Sequence, residues 1–164
     1  MKKCLKLLLI VLIVLSASGC SVIDDLKPIK LQDTITCENT TIKTSLASCI
    51  ITPPGFDLEE LNKRDYKMSI TVTYDVYYTK DWDVLFDIGY LGAPKYEVAI
   101  FDDDLIGEMD QNVQAPSSSK TRTITYTTNV VNLIDKKITL TFSSDNIQNK
   151  IHFKNIKVTY NCFK

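Results

Sequence analysis

The segment from Met68 to Tyr78 alternates between apolar and polar residues with a period of two. Side chains on one face of a strand recur at every second position, whereas those on one face of a helix recur at three and four. One face of this segment carries Met68, Ile70, Val72, Tyr74, Val76 and Tyr78. The alternation therefore predicts a strand that is buried on one side and exposed on the other.

The same period returns along the rest of the chain. Apolar residues keep it within 84–90, 96–100, 123–131, 138–142 and 151–162, and turn-forming residues separate these segments. In the last segment the phase slips by one residue at Lys154-Asn155, which predicts a β-bulge. Seven to nine short strands without alternating helices indicate an antiparallel β-sandwich over residues 34–164.

One short helix interrupts the strands. Asp57 stands three residues before Glu60, which is the spacing of a capping box, and Pro53, Pro54 and Gly55 separate it from the preceding segment. The pattern predicts a helix near 57–64 that can have only about two turns, because the strand period resumes at Met68.

The first twenty residues have the parts of an export signal. Lys2 and Lys3 precede an apolar run over 5–15 that is too short to span a bilayer, and Ala17-Ser18-Gly19-Cys20 follows. This ending resembles the lipobox of bacterial lipoproteins. The resemblance implies that 1–19 is cleaved, that Cys20 is acylated, and that the domain sits on the extracytoplasmic face of the cell membrane. Mixed polarity without clear periodicity up to Asp33 predicts a lipid-bearing tether over 20–33. The alternative is an ordinary secreted protein with Cys20 left as a thiol or in a disulfide.

The net charge of the chain limits the classes of molecule that it can bind. The chain has 19 basic and 20 acidic residues, and Lys2, Lys3 and Lys6 would depart with the signal. The remaining acidic balance excludes nucleic acid, which selects strongly basic surfaces. Membrane contact is therefore expected through the lipid on Cys20.

Four segments, 66–76, 92–98, 138–142 and 151–160, resemble the jelly-roll of galactose-binding-like and carbohydrate-binding modules. The resemblance implies a non-catalytic binding domain for a glycan. The alternative is a structural or protein-interaction sandwich at the cell surface. Exposed aromatic residues would favour the glycan, and a flat, threonine-rich face would favour a partner protein.

Two kinds of candidate site follow. Tyr77 falls on the outward face of its strand, and Trp82 is the only tryptophan, so either ring could stack on a sugar; the alternative for Trp82 is a plug at the end of the sandwich. Asp102 and Asp104 could supply oxygen ligands to a structural calcium ion, or form a solvated acidic turn. No other cofactor is expected.

Catalysis is not expected. His152 is the only histidine and lies within a predicted strand, where an outward-facing structural position is expected. The chain has five glycines, with neither a Gly-x-Ser-x-Gly motif nor a glycine-rich phosphate loop. Two carboxylates converging in a deep cleft would reverse this expectation.

Three cysteines remain beyond Cys20: Cys37, Cys49 and Cys162. An exported chain can form one disulfide from them, although buried free thiols are the alternative. In a jelly-roll the first and last strands lie side by side. The resemblance therefore implies a Cys37–Cys162 bridge, with Cys49–Cys162 as the second choice.

Overall fold

The computed structural model describes residues 28–80, 93–102, 104–144 and 149–164, with the backbone alone described at 102 and 104–110. Cys20 and Trp82 lie outside these residues. The described chain forms, in order, β1 Gln32–Thr36, β2 Thr40–Ile42, β3 Ser45–Ile50, α1 Leu58–Lys63, β4 Lys67–Lys80, β5 Lys95–Asp102, β6 Asp104–Gln114, β7 Lys120–Asn129, a 3-10 helix at Val130–Leu133, β8 Ile138–Ser144 and β9 Asn149–Phe163.

The strands form two antiparallel sheets. Sheet A has the order β1-β9-β4-β7, with β2 also paired to β9, and sheet B has the order β3-β8-β5-β6. Because β1 and β2 pair with successive parts of β9, together they fill one strand position. The result is the eight-position, two-sheet arrangement of a jelly-roll. The predicted all-β sandwich and the adjacency of its first and last strands are confirmed.

The core lies between the sheets and is built by the predicted alternation. Met68, Ile70, Val72, Tyr74 and Val76 of β4 are all fully buried. Phe153 of β9 stands among three further aromatic rings, with ring-centroid distances of 5.8 Å to Tyr74, 5.4 Å to Tyr96 and 4.5 Å to Phe142. Edge-to-face and tilted contacts of this kind join both sheets through one aromatic cluster.

The predicted bulge lies where the phase slips. Thr73 pairs with Lys157, whereas Asp75 pairs with Lys154, so β9 has one extra residue between them. Asn155 has a φ of 51°, the left-handed conformation that asparagine tolerates better than most residues. The slip keeps apolar side chains inward on both sides of the bulge.

The predicted helix is confirmed at Leu58–Lys63. The backbone N–H of Glu60 donates to Asp57 Oδ1 over 3.0 Å, as an N-cap requires. Leu61 is fully buried, and α1 packs against the 3-10 helix. Over 28–80, 93–102, 104–144 and 149–164, no helix is long and apolar enough to cross a membrane.

The two ends of the sandwich differ. We call the end where the chain joins β1 the proximal end; β4 begins there at Lys67, paired with Phe163 and with Asn129. Ahead of β1, Ile29 packs against the core, and Lys30 Nζ donates to the carbonyl oxygen of Pro54 over 2.9 Å. We call the opposite end, where Lys80 pairs with Asn149, the distal end.

The predicted Cys37–Cys162 bridge is wrong, and so is the second choice, Cys49–Cys162. Cys37 is bonded to Cys49, with their Cα atoms 6.3 Å apart, and Cys162 is a buried free thiol. The strand adjacency behind the prediction holds, but its register does not align the two sulfurs. The N–H of Cys37 donates to the carbonyl of Ile156, while the N–H of Cys162 donates to that of Leu31.

Cys49 reaches Cys37 because the chain crosses between the sheets. After Cys37 the chain continues in sheet A, where β2 lies beside β9, and then passes into sheet B, where β3 carries Cys49. Burial raises the pKa of the unpaired Cys162 thiol to about 11.

Candidate functional surface

The outer face of sheet A is covered by hydroxyl side chains in register. One row crosses four strands and consists of Thr34, Thr159, Thr71 and Thr125. Within it the hydroxyl oxygens of Thr34 and Thr159 lie 3.1 Å apart, as do those of Thr71 and Thr125. Threonine suits such a position because its branched side chain fits the pleated strand while its hydroxyl meets water.

A neighbouring row extends the pattern. Thr36, Lys157, Thr73 and Thr123 stand opposite one another across the same four strands. The hydroxyls of Thr73 and Thr123 lie 3.3 Å apart. Along β7, a threonine occupies each second position from 121 to 127, so the rows form a continuous polar array. We call this array the threonine face.

Asp75 stands at one margin of the threonine face, next to the bulge. Thr121 Oγ1 donates to its Oδ1 over 2.6 Å, and Asn155 Nδ2 donates to its Oδ2 over 2.7 Å. These two hydrogen bonds, that of Thr121 first, lower the pKa of the Asp75 carboxyl. The carboxylate is thus ionised, and both its oxygens are engaged within the sheet.

His152 is held by two hydroxyls. Its Nδ1 lies 2.9 Å from Thr41 Oγ1, and its Nε2 lies 2.8 Å from Thr79 Oγ1. Burial, followed by the positive charges of Lys154 and Lys150, lowers its pKa and favours the neutral ring. The predicted outward-facing position of His152 on its strand is confirmed.

Tyr77 points outward from sheet A, as its phase predicts, and is half-buried there. Its ring stacks on His152 with centroids 4.7 Å apart, and Lys154 Nζ lies 5.2 Å from its centroid. Two side chains of the same sheet therefore engage its π surface. Trp82, its predicted companion in sugar stacking, lies outside the described residues.

Positive charge predominates on this side of sheet A. Four lysines occupy outward strand positions: Lys67, Lys150, Lys154 and Lys157. Among the outward strand positions of sheet A that the structure describes, Asp75 alone carries a carboxylate. The whole chain has a formal net charge of −1, so its charges are segregated and not evenly mixed.

The predicted calcium ligands lie at the hairpin between β5 and β6. Asp102 pairs with Asp104 through the backbone, but their side chains are outside the described set. In the part of the chain that the structure does describe, no three metal-ligating side chains cluster together. The calcium site stays a prediction.

The sequence matches no protein-family model and no curated protein. Solved structures of similar fold include a cyclase from Fischerella sp. TAU in complex with 4-(1H-Indol-3-yl)butan-2-one, at 16% identity and a TM-score of 0.43. A Stig cyclase, Fisc, from the same organism gives 17% identity and a TM-score of 0.42. Each match covers 75% of this chain and 55% of the cyclase, so the chain spans about half the length of those proteins.

This comparison contradicts two predictions. The three similar structures compared, Fisc among them, are cyclases, which contradicts the prediction of a non-catalytic glycan-binding domain and its structural alternative. The prediction that the chain is not an enzyme is contradicted by the same finding. The likeness does not assign a cyclase activity to this chain, since the TM-scores are 0.43 and lower.

Proposed function

We propose that this protein is exported, held to a membrane by lipid on Cys20, and engages an anionic ligand on the threonine face. The first part is supported by the sequence Ala17-Ser18-Gly19-Cys20 after a short apolar run. Two acyl chains on one cysteine hold a protein stably at a bilayer, whereas one chain does so only marginally.

Replacing Cys20 by alanine is expected to abolish lipid attachment, because the thioether forms on its sulfur. Cells fed a clickable palmitate analogue should label the wild-type chain and not the Cys20→Ala variant. The Cys4→Ala variant is the matched control and should label like wild type, because Cys4 would leave with the signal. Equal labelling of wild type and Cys20→Ala would overturn the anchorage.

The anionic ligand is supported by one observation above all, the charge of the outward side of sheet A. Lys154 and Lys157 flank the bulge. The carboxylate of Asp75, which lies beside them, accepts a hydrogen bond on each of its two oxygens. Neighbouring threonine hydroxyls can donate to phosphate or carboxylate oxygens. A surface that carries charge of one sign and fixed hydrogen-bond donors raises the local concentration of ligands of the opposite charge.

The spacing of the lysines favours an extended ligand. Lys150, Lys154 and Lys157 follow β9 over seven residue steps, which span about 23 Å at about 3.3 Å per residue. A single small anion would touch one of these ammonium groups, whereas a polymer can contact all three. The proposed ligand is therefore a polyanion that carries carboxylate or phosphate groups.

Reversing two of these charges is expected to weaken polyanion binding at least about tenfold. The test is calorimetric titration of the Lys154→Glu/Lys157→Glu variant with poly-L-glutamate and with polyphosphate, which separate the two anion chemistries. Binding by wild type should fall as salt is raised, because exposed charges are screened within about 10 Å at 0.1 M.

The matched control is Lys95→Glu/Lys137→Glu, which makes the same change of charge at exposed lysines outside sheet A. It should bind both polymers like wild type. Equal weakening by the two double variants would reduce the effect to net charge and overturn the assignment of the face. Absence of wild-type binding to both polymers would overturn the ligand class.

A further inference from the structure

The large apolar side chains that stay exposed are concentrated at one end of the sandwich. Among the described residues, six large apolar side chains are exposed. Five of them lie at the proximal end: Leu31, Ile50, Phe101, Val131 and Phe163. Ile50 is 59% exposed and Val131 is 52% exposed. The sixth is Leu46, at the distal end of β3. Scattered apolar residues are ordinary on a protein surface, but their collection around one end indicates an interaction site.

Both sheets contribute to this group, which we call the apolar collar. In sheet B, Ile50 and Phe101 flank Thr139 on neighbouring strands. In sheet A, Phe163 lies near the end of β9, and the carbonyl of Leu31 accepts the N–H of Cys162. Val131 belongs to the 3-10 helix between them. The collar therefore surrounds the proximal end and does not form a stripe down one face.

The proximal end is also where the chain leads back to Cys20. Pro28 follows Cys20 by eight residues. A fully extended chain spans at most about 3.6 Å per residue, so this link can reach at most about 29 Å. A lipid on Cys20 would hold the proximal end within that distance of the bilayer, whereas the distal end is separated from this attachment by the length of β4.

We propose that the apolar collar contacts the lipid bilayer. The strands of the sandwich would then run away from the membrane, and the threonine face would be perpendicular to the bilayer surface and exposed to water. This inference rests on the proposed anchorage. Apolar side chains gain free energy by entering the interfacial region in proportion to the area they remove from water. The anchor would raise the effective concentration of the collar at the lipid, which adds to an affinity that the collar already has by itself.

The lipid expected under the collar is zwitterionic. The proximal end carries charges of both signs: Asp57, Glu59 and Lys63 belong to α1 and its N-cap, and Lys67 and Lys164 stand at or just beyond the ends of β4 and β9. Three aspartates, 102–104, directly follow Phe101 in the sequence. Anionic headgroups would repel these carboxylates. The threonine face has the opposite charge, so docking through that face would instead require anionic lipid.

Vesicle binding by the chain without its anchor tests the collar separately from Cys20. Both sheets and the core lie within the described residues, so a chain from Ser21 onward keeps them whole. We expect this chain to float with vesicles of pure phosphatidylcholine. The Ile50→Ser/Val131→Ser/Phe163→Ser variant should partition at least about tenfold more weakly, because three apolar contacts are lost.

The control is Leu46→Ser, which removes the apolar side chain that is exposed at the distal end, and it should bind like wild type. If circular dichroism shows that the triple variant is unfolded, the single Ile50→Ser and Val131→Ser variants replace it, each with about threefold weaker partitioning.

Failure of the wild-type chain to bind phosphatidylcholine would overturn the proposal, as would equal loss in Leu46→Ser. Binding only when phosphatidylglycerol is added would assign membrane contact to the threonine face instead. Palmitate labelling tests the anchor on Cys20, whereas vesicle flotation of the chain from Ser21 tests the collar. The failure of one proposal can therefore be distinguished from the failure of the other.

Discussion

Replacing Phe153 by alanine is expected to lower the free energy of unfolding by about 3–5 kcal/mol. The ring is fully buried and contacts Tyr74, Tyr96 and Phe142, so its removal leaves a cavity at the junction of both sheets. Urea denaturation of the wild-type and variant chains from Ser21 onward measures the difference.

Phe163→Ala is the matched control because it makes the same change in the same strand at a side chain that is 38% exposed. Its effect should stay below about 1 kcal/mol, as for most surface substitutions. Equal losses in the two variants would show that Phe153 is not at the centre of the core.

Replacing Cys49 by alanine is expected to cost about 3 kcal/mol of unfolding free energy, the value that the chain-entropy model gives for a loop of about fifteen residues. Cys37 and Cys49 are 12 residues apart in sequence, so the bond closes a loop of that order. The measurement is urea denaturation with and without a reducing agent. Reduction should destabilise the wild type and leave the Cys49→Ala variant unchanged.

Cys162→Ala serves as the control for this bond. Cys162 is a free thiol, so its variant should keep the same sensitivity to reduction as wild type. Peptide mapping without reduction should recover Cys37 linked to Cys49. A linked peptide that contains Cys162 would contradict the bond and restore the sequence-based pairing.

Local patterns in the sequence were enough to predict several elements of this fold. The alternation over 68–78 predicted β4 and its buried face, and Asp57 with Glu60 predicted α1. The phase slip at Lys154-Asn155 predicted the bulge. Each of these signals depends on neighbouring residues only, because strand phase, helix capping and bulging are local properties of the backbone.

The disulfide and the threonine face depend on contacts that no local pattern contains. Asn155 and Asp75 are 80 residues apart in sequence, yet their side chains are hydrogen-bonded. The threonines at every second position of β7 are visible in the sequence, but their alignment with Thr71 and Thr159 requires the order β1-β9-β4-β7. Likewise, the bond between Cys49 and Cys37 could be predicted only by knowing that β3 belongs to sheet B while the preceding β2 belongs to sheet A.

The glycan prediction illustrates a different difficulty. It transferred a function from resemblance in short strand segments, whereas a strand pattern mainly reports burial on one side of a sheet. Tyr77 has the predicted outward phase but stacks on His152 within its own sheet. Phase alone cannot distinguish a ring that is available to a ligand from one that packs against its neighbour.

The position of β9 bears on the order in which this chain can fold. It is the last strand in the sequence, and in sheet A it joins β1 and β2 to β4. Before β9 is present, β1 and β2 have no partner in that sheet among the described strands. Such long-range pairing gives a high contact order and slow closure. For a chain exported as we propose, β1 and β2 would join sheet A only after β9 has crossed the membrane, so the segment nearest the anchor would be the last to pair in that sheet.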